Sequence, residues 1–216
     1  MQQNKFLIIF FVIFFLTAGS AFSQAQYLNF EITVNGEIER DQNALYFVLF
    51  NADPSKYINV TDNSTFTDFI CYNGISALWY HRRQDPINPN LFVWEIAGNV
   101  NTSVYVTSDR KKLIFQFNAL DPSIFMNQYL PTVFNTHVVT TDTASILKID
   151  TIGKGPDITN NSVNTLRVNK FTGVTGPVNK FYPNDPADDY IIFDTLSKNY
   201  PYKNLDIVMF QVYSGQ

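Results

Sequence analysis

A single cysteine, Cys71, stands in a chain of 216 residues, so no intrachain disulfide can form and stability has to come from core burial or from a bound ligand or ion. Histidine is nearly as scarce. His81 and His137 are the only two, and no His or Cys cluster has the short spacing a zinc site needs. There is no excess of basic residues: the formal net charge of −4 argues against the positive footprint of a nucleic-acid binder and makes acidic substrates and anionic membranes poor partners. Gly-x-Ser-x-Gly, Walker and dinucleotide-type glycine patterns are all missing. Glu95 and Asp121 could serve as a glycosidase dyad only at a carboxylate separation that nothing in the sequence sets. Cys71, between Ile70 and Tyr72, has no neighbouring base and reads as a buried small hydrophobe, and His137 reads as a structural strand residue. No catalytic residue is expected.

What is present begins with a leader. Lys5 precedes an apolar run from Phe6 to Leu16, followed by Ala18-Gly-Ser-Ala-Phe-Ser23, in which Ala21 and Ser23 fit the −3 and −1 positions of a signal-peptidase site. The run is too short for a bilayer core of roughly 30 Å, which takes about 20 residues, so residues 1–23 read as a cleaved signal peptide. The mature chain then starts at Gln24 or Gln26 without a transmembrane span, carries about −5, and is secreted, periplasmic or held at the cell surface. The abundance of Asn, Ile, Phe and Tyr suggests an AT-rich genome. Sequons at Asn59, Asn63, Asn101 and Asn160 would matter only in a eukaryotic secretory pathway.

Residues 24–216 have the length of one domain, and 20 Phe with 12 Tyr favour half-buried pleated surfaces. Alternation is plain in Tyr27–Val34, where Leu28, Phe30, Ile32 and Val34 share one face and Asn29, Glu31 and Thr33 the other. Ala44-Leu-Tyr-Phe-Val-Leu-Phe50 is apolar throughout, as a central strand covered on both faces would be. Phe66–Tyr72 and Ile75–Arg82 flank Asn73-Gly74 and predict a hairpin turning on those two residues. Further strands are expected at Leu91–Ala97, Asn101–Val106, Lys112–Phe117, Thr132–Thr140, near Val163–Val168, at Tyr190–Phe193 and at Leu205–Tyr213. Asp121–Gln128 is the one expected helix, with Asp121 as cap and Pro122 at its first position, and Gly153–Pro156 and Gly173–Pro177 read as long turns. About ten strands at short spacing predict an all-β fold, an antiparallel sandwich ahead of a barrel.

The order Ala44-Leu-Tyr-Phe-Val-Leu-Phe-Asn-Ala-Asp53, Thr67-Asp-Phe-Ile-Cys-Tyr72, Lys112-Leu-Ile-Phe-Gln-Phe-Asn-Ala-Leu-Asp-Pro122 and Phe134-Asn-Thr-His-Val-Val-Thr140 is similar to the strand order of family 9 carbohydrate-binding modules and DOMON-like β-sandwiches. The chain also resembles secreted bacterial proteins with a Tyr-Phe-x-x-Phe-Asn strand, here Tyr46–Asn51. The resemblance covers roughly residues 44–140, implies a bacterial β-sandwich, and implies sugar, haem or no known ligand; the long tail after Asp150 departs from it.

Two groups of residues carry the functional expectation. Trp79, Tyr80 and Trp94 offer rings for stacking on the apolar face of a sugar, with Arg82 among the polar neighbours; core packing of the two tryptophans is the plainer alternative. Strand alternation puts Trp79 with His81 on one face and Tyr80 with Arg82 on the other. Asp185, Asp188 and Asp189 supply the oxygen ligands Ca²⁺ prefers, although without the glycine and terminal glutamate of an EF-hand, and a solvated acidic turn is the plainer reading. Taken together, the sequence predicts a non-catalytic extracytoplasmic β-sandwich that binds a ligand or partner, a glycan included, with a structural surface component associating through strand edges as the alternative. No cofactor beyond a Ca²⁺ ion is expected.

Overall fold

The structure, a computed structural model, describes residues 27–40, 44–60, 62–97, 102–119, 121, 131–142, 148–151, 165–170, 173–174 and 201–215. The leader (1–23), the remainder of the expected 121–128 helix beyond Asp121, the turn at 153–156, the acidic residues Asp185, Asp188 and Asp189, and the strand expected at 190–193 lie outside the described residues.

Among the described residues twelve strands run in chain order as β1 (Tyr27–Val34), β2 (Ala44–Asn51), β3 (Asp68–Tyr72), β4 (Ala77–Gln84), β5 (Phe92–Ile96), β6 (Thr102–Val106), β7 (Lys112–Asn118), β8 (Val133–Asp142), β9 (Lys148–Thr151), β10 (Leu166–Asn169), β11 (Gly173–Val174) and β12 (Ile207–Gly215). One antiparallel sheet has the order β12-β1-β7-β6; the other has β11-β10-β8-β2-β3-β4-β5, with β9 also paired to β8. The protein is an all-β sandwich, and the helical content among the described residues is two short 3-10 turns, Asn63–Thr65 and Pro201–Asn204.

Alternation explains the core. Leu28, Phe30, Ile32 and Val34 of β1, with Leu113, Phe115 and Phe117 of β7, turn inward and are almost fully buried. They meet Tyr46, Val48 and Phe50 of β2 and Phe134 and Val138 of β8 from the facing sheet. Rings dominate the contact: Phe30 stacks on Phe117 at 5.1 Å between centroids and meets Phe50 edge-on at 5.4 Å. Each fully buried Phe contributes about 1.5–3 kcal/mol relative to exposure, as do the buried Leu, Ile and Val around them, so core burial carries the stability of a chain that cannot form an intrachain disulfide.

As its unbroken apolar run predicts, β2 is covered on both sides. Its second cover is the β2–β3 loop, which folds back over the outer face and buries Ile58, Val60 and Phe66 against Leu49 and Val139. Asn135 Nδ2 donates to the carbonyls of Pro54 (3.2 Å) and Lys56 (2.7 Å), tying that loop to β8.

Two local expectations are corrected. The β3–β4 hairpin turns over four residues, Asn73–Ser76, so Tyr72 faces Ala77. Asn73 Oδ1 accepts from the N–H groups of Ile75 (3.1 Å) and Ser76 (2.9 Å), and Gly74 takes φ 88°, which widens the two-residue turn that Asn-Gly suggests. Gly173–Val174, read as turn, pair with Val168–Asn169 as a short strand.

At one end of the sandwich a polar clasp joins both sheets. The buried Tyr46 hydroxyl donates to the Asn204 carbonyl (2.8 Å) and accepts from the Glu39 N–H (3.0 Å), while Asn204 Oδ1 accepts from the Glu37 N–H (2.7 Å). Arg110, left-handed at φ 57°, donates to the Ile38 carbonyl at 2.7 Å and pairs with Glu37 at 3.0 Å.

Candidate functional site

The strand pleat separates the residues singled out from the sequence. Trp79 points into the core with only 3% of its surface exposed, stacked on Phe50 at 4.9 Å and 14° and edge-on to Phe117 at 5.4 Å. A ring so enclosed cannot offer a face to a sugar, so Trp79 belongs to the packing between the sheets. Tyr80, Arg82 and Trp94 come together on the opposite, outer face, where Arg82 and Trp94 are register partners on β4 and β5.

That outer face carries a run of rings. Phe47 meets Phe69 edge-on at 5.6 Å, Tyr80 stacks on Phe69 at 4.6 Å, and Trp94 stacks on Phe66 at 5.2 Å while meeting Phe69 edge-on at 4.8 Å. The protein therefore uses one face of each of Tyr80 and Trp94 internally. Arg82 is engaged as well: its guanidinium donates to the carbonyls of Asn63 (3.2 Å) and Ser64 and sits 4.6 Å from the centroid of the Phe92 ring. Desolvation lowers the Arg82 pKa from its usual value, opposed by the carboxylates of Asp68 and Asp62, and the side chain stays cationic at neutral pH. Its role is to pin the 3-10 turn, capped by Asp62 through the Ser64 N–H at 2.9 Å, onto the sheet.

The apolar surface continues past these rings to the sheet margin. On β5 both faces are open: Phe92 is 53% and Ile96 55% exposed on the outer side, Val93 is exposed on the inner side, and Leu91 and Ile87 are exposed just before the strand. Among the described residues nothing pairs with the free side of β5. On β5 itself the one charged side chain is Glu95, which takes Arg83 of β4 at 3.0 Å.

Sequence reasoning missed a buried polar pair on the inner face. Asp68 and His81 are register partners, His81 Nδ1 hydrogen-bonds Asp68 Oδ1, and the Thr67 hydroxyl donates to Asp68 Oδ2 at 2.5 Å. An Asp-oriented imidazole can act as a base, but here the Thr67 hydroxyl bonds the carboxylate rather than the imidazole, so no nucleophile–base hydrogen bond is formed. The Thr67 hydroxyl also reaches the Phe50 carbonyl at 3.3 Å, which ties the group to β2. Cys71, half-buried on the outer face, has its thiol pushed up to about 12 by burial and stays protonated at neutral pH. His137 is buried on β8 opposite Leu49.

Among the described residues no group of three or more His, Cys, Asp or Glu side chains could hold a metal ion, and no helix is long and apolar enough to cross a membrane. Comparison with protein-family models finds no matching family, and comparison with curated proteins and with solved structures finds no match.

Proposed function

We propose that this chain is an exported, non-catalytic β-sandwich that binds a partner protein by strand addition at β5. The observation that supports the reading is the composition of that margin: a terminal strand with apolar side chains open on both of its faces. Exposed edge strands in soluble proteins are ordinarily blunted by lysine, proline or a bulge, because a free ladder of N–H and C=O groups invites another chain. Here Phe92 and Ile96 are exposed on the outer face and Val93 on the inner, Trp94 is half-buried between them, and Glu95 is the one charge on the strand, so the ladder is flanked mainly by apolar side chains, the chemistry that takes an extended segment with apolar residues at alternate positions. Export rests on the leader pattern at residues 1–23.

A photo-crosslinking amino acid placed at Val93 in the producing cell should trap one defined adduct, whereas the same probe at Tyr57, also exposed but on the β2–β3 loop, should not. Phe92→Lys together with Ile96→Lys should abolish the adduct while leaving the fold intact, since both side chains already face solvent. An adduct of twice the chain mass would identify the partner as a second copy. No adduct at Val93, or equal adducts at both positions, would end the proposal.

A further inference from the structure

The outer face of the four-stranded sheet holds a second, chemically different surface. Alternation predicts that Asn29 and Glu31 point to solvent, yet both are buried: their polar ends lie beneath longer side chains from the neighbouring strands. Gln116 Nε2 donates to Asn29 Oδ1 at 2.9 Å, and the Tyr105 hydroxyl lies 3.5 Å from Gln116 Oε1. Lys112 Nζ donates to Glu31 Oε1 at 2.6 Å, and the Tyr213 hydroxyl donates to Glu31 Oε2 at 3.3 Å. These six side chains come from four adjacent strands, with Asn29 opposite both Gln116 and Tyr213 in register. Tyr105 on β6 and Tyr213 on β12 are the flanks, 50% and 37% exposed.

We infer that this face is a binding site for a neutral oligosaccharide. Three considerations select that class. The two phenol rings present partly open faces of the kind that pack against the C–H face of a sugar ring. Between them lie an amide and an ammonium, Gln116 and Lys112, both partly exposed and both held in place by the buried Asn29 and Glu31. Fixed donors and acceptors of this sort suit hydroxyl groups, because their orientation is set before the ligand arrives. The ion pair of Glu31 with Lys112 cancels the charge of the patch, so it has no net attraction for a uronic acid, a sulfated glycan or a cationic ligand. Three strand spacings of about 4.8 Å separate the tyrosine-bearing strands, about 14 Å across the sheet, which fits a short oligosaccharide better than a single sugar.

Gly215 is part of the construction. It pairs with Tyr27 beside Asn29, and a Cβ built on it would stand 2.7 Å from Asn29 Nδ2, so a side chain there would push the amide out of place.

The test is a glycan array printed with neutral, uronic-acid and sulfated oligosaccharides, probed with the purified protein and followed by calorimetric titration of the best neutral ligand. Binding to neutral glycans in preference to both anionic classes is expected. Tyr105→Ala with Tyr213→Ala should weaken it at least about tenfold, a loss of about 1.4 kcal/mol. Gln116→Ala should weaken it too, with the β-sheet circular-dichroism spectrum retained in these variants, because the core packing on the opposite face of the sheet is untouched. Phe92→Lys/Ile96→Lys, which disables the β5 margin, should leave glycan binding unchanged, so the two proposals stand or fall separately. Absence of neutral-glycan binding, a preference for anionic glycans, or full affinity in the double tyrosine variant would overturn the inference.

Discussion

Replacing Trp79 with alanine should show whether the ring serves the core or a ligand. The indole is enclosed between Phe50 of its own sheet and Phe117 of the facing one. Truncating a core Trp costs about 3–5 kcal/mol, because the cavity adds to the lost transfer free energy. For a domain of this size each kcal/mol moves the midpoint by about 2–4 °C, so a drop of about 6–20 °C is expected. Since Trp79 and Trp94 are the only tryptophans, Trp94→Phe leaves Trp79 as sole emitter and Trp79→Phe leaves Trp94. The Trp79 emission should be blue-shifted and resist acrylamide, while Trp94, half-buried against Phe66, should quench more readily. A Trp79→Ala midpoint within about 2 °C of wild type, or equal quenching of the two emitters, would refute the placement of Trp79 between the sheets.

Burial holds the Tyr46 phenol well above its usual value of about 10, so the folded state keeps a proton the unfolded chain releases; stability is intact below that pH and falls as pH rises above it. Tyr46→Phe should cost about 1–3 kcal/mol at neutral pH by leaving the Glu39 N–H and Asn204 carbonyl without this partner, and should make the alkaline decline shallower in urea titrations; Cys71, also raised, supplies a remainder. Gly36→Ala should lower the urea midpoint by the equivalent of about 1–3 kcal/mol, since its Cβ would stand 2.6 Å from the Asn204 nitrogen and from the Lys203 carbonyl carbon. Asp68→Ala, which takes the carboxylate partner from the buried His81 imidazole while the Thr67 hydroxyl keeps the Phe50 carbonyl at 3.3 Å, should cost about 1.5–3 kcal/mol in the same titration.

The two-layer architecture was legible because period-two alternation in β1 and β7 and the continuous apolar run of β2 are direct records of one-sided and two-sided burial. Faces were legible for the same reason: Trp79 with His81, and Tyr80 with Arg82, fall where the pleat puts them. Pairing was not. A turn confined to Asn73-Gly74 would set Asp68 opposite Trp79, whereas the four-residue turn sets it opposite His81. A slip of two residues keeps every side chain on its face, so hydrophobic pattern cannot detect it, and the Asp68–His81 pair stayed hidden. Which face of a sheet is covered is also decided by distant residues. Nothing near Leu49 announces that Ile58 and Phe66 will fold over it, and nothing near Asn29 announces that Gln116, 87 positions away, will close on it.

β1 lies between β7 and β12, with Tyr27 directly opposite Gly215. β1 therefore waits for β12: until residues 207–215 are in place, one side of β1 has no neighbour among the described strands and the smaller layer cannot close. This makes the closing segment a point of control, since clipping β12 would uncover β1 along its whole length.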